Sequence, residues 1–127
     1  MLAGGKSFGG RMTSQAQAAV PLPSVVGLAF LGFPLHPIGK PSSERAAHLS
    51  AVSIPMLFVQ GARDALADPE LLATLLERIG PRTTLVQVRE GDHSFHVPAR
   101  SGRTDRQALG EALDGFAAWV QATVVYL

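Results

Sequence analysis

The sequence predicts an α/β fold in which helices cover both faces of a parallel sheet. Short, continuous apolar runs alternate along the chain with longer segments of helical periodicity, an order typical of right-handed β-α-β units. The apolar runs carry no alternating polar residues, so the strands are expected to be buried on both faces. The predicted strands are residues 1–3, 25–31, 56–59 and 84–88, and the predicted helices are residues 11–19, 68–79 and 107–123.

The helix over residues 68–79 has the clearest local signals. Asp68 is a good N-cap, Pro69 suits the first helical position, and Gly80 followed by Pro81 ends the element. Five apolar residues are expected on one face: Leu71, Leu72, Leu75, Leu76 and Ile79.

The other two helices are bounded by similar signals. The helix over residues 11–19 is rich in good helix formers and stops before Pro21. Thr104 and Gln107 have the spacing of a capping box at the start of the last helix. Its apolar face is predicted to contain Leu109, Leu113, Phe116, Val120 and Val124.

Composition indicates one domain over residues 1–127 and excludes several kinds of partner. Hydrophobic residues make up 46% of the chain and charged residues 17%, as in a globular protein. A net charge of +1 with scattered basic residues favours neither nucleic acid nor an anionic membrane surface. There is no cysteine, no signal-peptide pattern and no apolar run near the roughly 20 residues of a membrane helix. We therefore expect a cytoplasmic chain that acts on a small molecule.

A G-x-S-x-G motif stands at residues 5–9, with Ser7 at its centre. Such a motif places a serine on a sharp strand-to-helix turn, and we expect Gly5 and Gly9 to leave no room for a Cβ. The helix N-terminus would favour negative charge developing near Ser7, with the N–H of Phe8 as the first oxyanion donor.

Asp64 and His93 follow Ser7 in the order Ser, Asp, His, and each lies just beyond a predicted strand. Because the carboxyl ends of parallel strands share one edge of a sheet, the three side chains can meet there. Alternatively, Asp64 is a turn residue and His93 a surface loop histidine.

Four segments stand in this order along the chain: GGKSFGGRM, GFPLHPIGKP, LFVQGARD and GDHSF. Together, and in this order, they resemble a group of small α/β-hydrolases related to dienelactone-hydrolase-like proteins. The resemblance implies a serine hydrolase of esterase or dienelactone-hydrolase-like type, acting on a small ester or acyl substrate without a cofactor. Ser7 would be the nucleophile, His93 the general base and Asp64 the orienting carboxylate.

Full-length members of that group carry strands and a second oxyanion donor before the motif. The resemblance therefore implies the C-terminal portion of a three-layer α/β-hydrolase-like domain. We expect little turnover from this segment alone and an exposed strand edge near residues 1–3 that promotes self-association.

Other histidines are weaker candidates. His36 lies near the expected active edge and is a candidate for substrate contact or for the second oxyanion donor. His96 is a rival base displaced from the strand end, Asp92 is expected to shape the turn, and His48 carries no signal.

The sequence gives less support to other classes of function. The histidines and carboxylates do not have the spacing of a metal site such as H-E-x-x-H. Gly5-Lys6-Ser7 resembles the end of a P-loop, but the earlier glycine of that motif is missing. A non-catalytic interaction module built on the same fold, or one piece of a larger assembly, stays open as the alternative.

Overall fold

The computed structural model describes residues 1–124, with the side chains as far as residue 123. The elements are β1 (Leu2–Lys6), α1 (Phe8–Ala19), β2 (Gly27–Leu31), β3 (Met56–Gly61), α2 (Pro69–Ile79), β4 (Thr83–Val88) and α3 (Asp105–Val124). Short 3-10 helices span Glu44–Ala51 and Ala99–Ser101.

The four strands form one parallel sheet in the order β1-β2-β3-β4. Along one row of the register, Gly5 pairs with Phe30, Phe30 with Phe58 and Phe58 with Leu85. All the carboxyl ends therefore lie at the same edge, and the predicted three-layer α/β arrangement is confirmed.

A large apolar core fills one side of the sheet. The rings of Phe30, Phe33 and Phe58 pack together with centroid distances of 4.9–5.6 Å. The buried leucines of α2 and of the 3-10 helix at Glu44–Ala51 close this core. The Asp68 side chain caps α2 by accepting the N–H of Leu71 at 3.0 Å, as predicted.

The opposite side of the sheet is covered by α3, but with a different face from the one predicted. Its buried residues include Ala108, Ala112 and Trp119, whereas Leu109 and Leu113 are 47% and 49% exposed. Small alanine side chains let the helix lie close to β3 and β4, and this places the two leucines at its flank. Phe116 and Val120 pack partly against the same core, and the side chain of Val124 lies outside the described residues.

Several boundaries also differ from the prediction. β1 continues to Lys6 and α1 begins at Phe8, so Ser7 alone makes the turn between them. The glycines around Ser7 indicate a loop by composition, but here they extend both flanking elements. The capping box of α3 is confirmed, since Thr104 and Gln107 bind each other's backbone N–H groups at 2.8 and 3.1 Å.

Within residues 1–124, no helix combines the length and the apolar character that crossing a bilayer requires.

Candidate active site

Ser7 occupies a strained turn at the carboxyl end of β1. Its backbone has φ 52° and ψ −123°, a conformation that costs a non-glycine residue about 1–3 kcal/mol. The surrounding backbone holds it: the Ser7 N–H donates to Leu31 O at 2.9 Å, and the Ser7 carbonyl accepts the N–H of Arg11 at 3.2 Å. The turn presents the Ser7 side chain, half-buried, at the sheet edge.

The steric demand for glycine in this turn differs in part from the expectation. A Cβ at Gly5 would lie 2.9 Å from Gly10 N, and one at Gly10 would lie 2.7 Å from Gly5 O. A Cβ at Gly9 would meet nothing within 4 Å. The expected crowding at Gly9 is therefore wrong, and the close approach of β1 and α1 is made by Gly5 and Gly10.

Asp64 lies in the turn that follows β3, and its side chain is fully buried. Its Oδ1 accepts the N–H of Leu66 at 2.8 Å, two residues along the same turn. This bond leaves Oδ2 facing the histidine loop after β4. The carboxylate is therefore oriented in part by a hydrogen bond within its own turn.

His93 connects Ser7 to Asp64. Its Nε2 lies 2.7 Å from Ser7 Oγ, and its Nδ1 lies 2.7 Å from Asp64 Oδ2. An ionised carboxylate only accepts hydrogen bonds, so Nδ1–H donates to Asp64 and Nε2 accepts from the serine hydroxyl. The structure thus brings the three predicted residues together, with the histidine side chain 22% exposed.

The loop that carries His93 is held at both ends. Asp92 Oδ1 accepts the N–H groups of Ser94 and His96, each at 2.9 Å, so it shapes the turn as predicted. Further on, Asp105 at the start of α3 accepts from Val97 N–H at 2.9 Å and from His96 Nδ1 at 2.8 Å. The hydrogen bond and the charge of Asp105 raise the pKa of His96. The ring of His96 is bonded to Asp105 and not to Ser7.

The N–H of Phe8 begins α1 directly after Ser7. Among residues 1–124 it has no hydrogen-bond acceptor, and the Phe8 side chain is 64% exposed. An unpaired N–H at the first helical position is the geometry expected of an oxyanion donor, a role that stays a prediction.

His36 is placed in a different role from the one expected. Asp68 N–H donates to its Nε2 at 2.8 Å, so Nδ1 carries the proton and donates to Pro37 O at 2.8 Å. The residue is only 3% exposed. Because both ring nitrogens are occupied by backbone groups, the geometry gives no support to a substrate contact through His36.

Two residues at the site, and one contact away from it, were missed by the sequence reasoning. Gln60, at the end of β3, is buried beside Asp64, and Gly32, after β2, lies against His93. Ser14 and His48 form a hydrogen bond of 2.6 Å that ties α1 to the 3-10 helix at Glu44–Ala51. For Gln60 the available signal was a polar residue in an otherwise apolar strand, four positions before Asp64.

Comparison with solved structures gives the same fold. A serine hydrolase homologue from Coxiella burnetii superimposes with a TM-score of 0.63 at 21% identity, over 89% of this chain and 48% of the other. An esterase domain from Rhodothermus marinus gives 0.62 at 19% identity, over 97% and 60%. An α/β serine hydrolase without a lid from Xanthomonas campestris gives 0.61 at 25% identity, over 93% and 47%.

The chain spans about half to three-fifths of the length of these proteins. No curated protein matches the sequence significantly. A model of the alpha/beta hydrolase domain matches residues 1–121, nearly the whole chain. The parallel sheet, the turn at Ser7 and this match over residues 1–121 lead to one conclusion: the chain belongs to the alpha/beta hydrolase family.

Proposed function

We propose that this chain carries the catalytic residues of a serine hydrolase that acts on small ester or acyl substrates. The supporting observation is the continuous hydrogen-bonded series from Ser7 Oγ through His93 to Asp64, with both bonds at 2.7 Å. A serine hydroxyl becomes a useful nucleophile when an oriented imidazole accepts its proton.

In the proposed reaction, Ser7 Oγ attacks the substrate carbonyl carbon while its proton passes to His93 Nε2. The oxyanion that forms accepts a hydrogen bond from Phe8 N–H. Collapse of the intermediate breaks the bond to the leaving group, which takes the proton from His93 and departs. Water then attacks the acyl-Ser7 ester by the same proton transfers, and this step releases the acid and restores the serine.

Asp64 acts through His93 in this scheme. Its buried carboxylate keeps Nδ1 protonated, which leaves Nε2 free to act as the base. It also stabilises the imidazolium that forms when Nε2 takes the proton.

Hydrolysis of small activated esters, such as p-nitrophenyl acetate, tests this proposal. We expect slow hydrolysis that falls to the buffer rate in Ser7→Ala. Ser94→Ala is the matched control, because it removes an exposed hydroxyl next to His93 and should leave the rate unchanged. Equal activity in Ser7→Ala and the unmodified chain would refute the proposal.

We also propose that the chain self-associates through β1. This strand forms one edge of the described sheet, with Gly4 and Lys6 exposed. An open groove lined by Leu2, Leu31 and Phe116 runs beside it. A second copy offers the same edge, and two β1 strands paired about a two-fold axis would cover both grooves.

A further inference from the structure

Gln60 is a buried polar side chain beside the proposed acid. It is 1% exposed and ends the apolar run of β3, four residues before Asp64. Its Oε1 accepts the N–H of Phe33 at 2.5 Å, and its Nε2 lies 3.4 Å from Asp64 Oδ2. A buried amide in a central strand requires partners of this kind.

The two contacts of Gln60 fix which way its amide faces. A backbone N–H can only donate, so the carbonyl oxygen of the amide must face Phe33. The NH₂ group is then directed at Asp64, whose carboxylate can only accept. The hydrogen bond from Phe33 N–H therefore already holds the Gln60 side chain with its NH₂ group directed at Asp64 Oδ2.

This donor shares Oδ2 with the histidine. Asp64 Oδ2 accepts from His93 Nδ1 at 2.7 Å and from Gln60 at 3.4 Å, while Oδ1 accepts from Leu66 N–H within the acid's own turn. The hydrogen bond from Gln60 thus links the Asp64 carboxylate to strand β3, whereas the bond from Leu66 lies within the turn of Asp64 itself.

The anchor of Gln60 is itself next to His93. Phe33 follows Gly32, which has φ +73° and lies so close to His93 that a Cβ there would be 3.2 Å from the ring carbon Cε1. One amide therefore joins the segment that supports the histidine to the carboxylate that orients it.

We propose that Gln60 is a positioning residue that holds Asp64 Oδ2 in line with His93 Nδ1 by donating from its amide NH₂ group. The proposal rests on the proposed function for its effect on rate, although the hydrogen bond can be tested without turnover. Gln60 does not touch the reacting atoms.

Two substitutions separate this role from simple anchoring of Phe33. Gln60→Met removes both contacts. Gln60→Glu keeps an acceptor for Phe33 N–H in either ionisation state, but its carboxyl group can donate to Asp64 only when neutral. The matched control is Gln87→Glu, which adds the same group at the exposed position paired with Gln60 on β4.

The first measurement is the rate at which a fluorophosphonate labels Ser7, relative to the unmodified chain at each pH, in variants shown to be folded by circular dichroism. Gln60→Met should be about tenfold slower throughout, the effect expected for one hydrogen bond to a charged group. Gln60→Glu should label at nearly the unmodified rate at low pH, where its carboxyl group is neutral, and about tenfold more slowly at high pH, where that group is ionised. Gln87→Glu should label at the unmodified rate at every pH. If Gln60→Met labels at the unmodified rate at every pH, the Gln60 amide does not position Asp64 and the proposal is wrong.

The second measurement does not require a reactive serine. The His93 Nδ1 proton, bonded to Asp64, should give a proton resonance far downfield of the amide signals, assigned by its loss in His93→Ala. Gln60→Met should shift or broaden it, and Gln60→Glu should restore it at low pH. An unchanged resonance in Gln60→Met would overturn the proposal, whereas failure of Ser7 to label with these shifts present would count against the proposed function alone.

Discussion

Ser7 Oγ lies 2.7 Å from His93 Nε2, although 86 residues separate them in sequence and their strands are the two outermost in the described sheet. The loop after β4 spans this distance by crossing the ends of the inner strands. Gly91 O accepts the N–H of Arg63 beyond β3 at 2.8 Å, and His93 packs on Gly32 beyond β2. The loop is therefore supported by each strand end that it passes.

Asp64 should contribute far more to the reactivity of Ser7 than Asp92, the carboxylate next to His93 in sequence. Asp64→Asn should reduce labelling of Ser7 by a fluorophosphonate about 10⁴-fold, because an amide does not hold His93 in the required tautomer. Asp92→Asn is the control, since an amide oxygen can still accept the N–H groups of Ser94 and His96. Similar losses in the two variants, measured by labelling rate, would show that Asp64 has no special part.

The two glycines that follow Phe8 should respond in opposite ways to alanine. Gly10→Ala should lower the free energy of unfolding by about 1–3 kcal/mol, because the added methyl group meets the Gly5 carbonyl. Gly9→Ala should raise it by up to about 1 kcal/mol, since the space is open and alanine favours a helix. Urea denaturation of both variants measures this, and equal destabilisation would contradict the packing described for the turn.

The partly buried His48 should make stability depend on pH. Burial, and then the charge of Arg11, lower the pKa of His48 below its ordinary value of 6.5. The unfolded chain therefore binds the proton first as pH falls through 6.5, and this residue's contribution makes the folded state less stable at acid pH. Urea denaturation between pH 7.5 and 5.5 should show a smaller loss in His48→Gln than in the unmodified chain. An identical loss in both would assign the effect to other groups.

Self-association through β1 should depend on concentration and on an apolar edge. Sedimentation velocity should show a dimer that Leu2→Lys disrupts, because a charge would enter the groove beside Leu31 and Phe116. Gln87→Lys, at an exposed position on β4, should leave the dimer intact. A chain that stays monomeric at all concentrations would contradict the proposed self-association.

The layered fold and the meeting of Ser7, Asp64 and His93 could be predicted because they depend on local pattern and on topology. Apolar runs mark buried strands, and parallel strands bring their carboxyl ends to one edge. The order of strands places the three residues at one edge of the sheet, and the loop after β4 then carries His93 across to Ser7.

The missed features depend instead on how elements pack. The buried face of α3 follows from its small residues meeting the sheet, which a count of leucines does not reveal. His36 accepts the N–H of Asp68 just before α2, and Gln60 accepts the N–H of Phe33 after β2. These contacts join residues distant in sequence through backbone groups, which leave no pattern in the side chains.

The central claim is that Ser7 is the nucleophile, and the residue that a fluorophosphonate modifies tests it most directly. After reaction with a fluorophosphonate, intact-mass spectrometry and peptide mapping should show one adduct per chain, on Ser7. His93→Ala should slow its formation and Ser7→Ala should abolish it. An adduct that persists in Ser7→Ala, or one mapped to another residue of the unmodified chain, would contradict the assignment of Ser7 as the nucleophile.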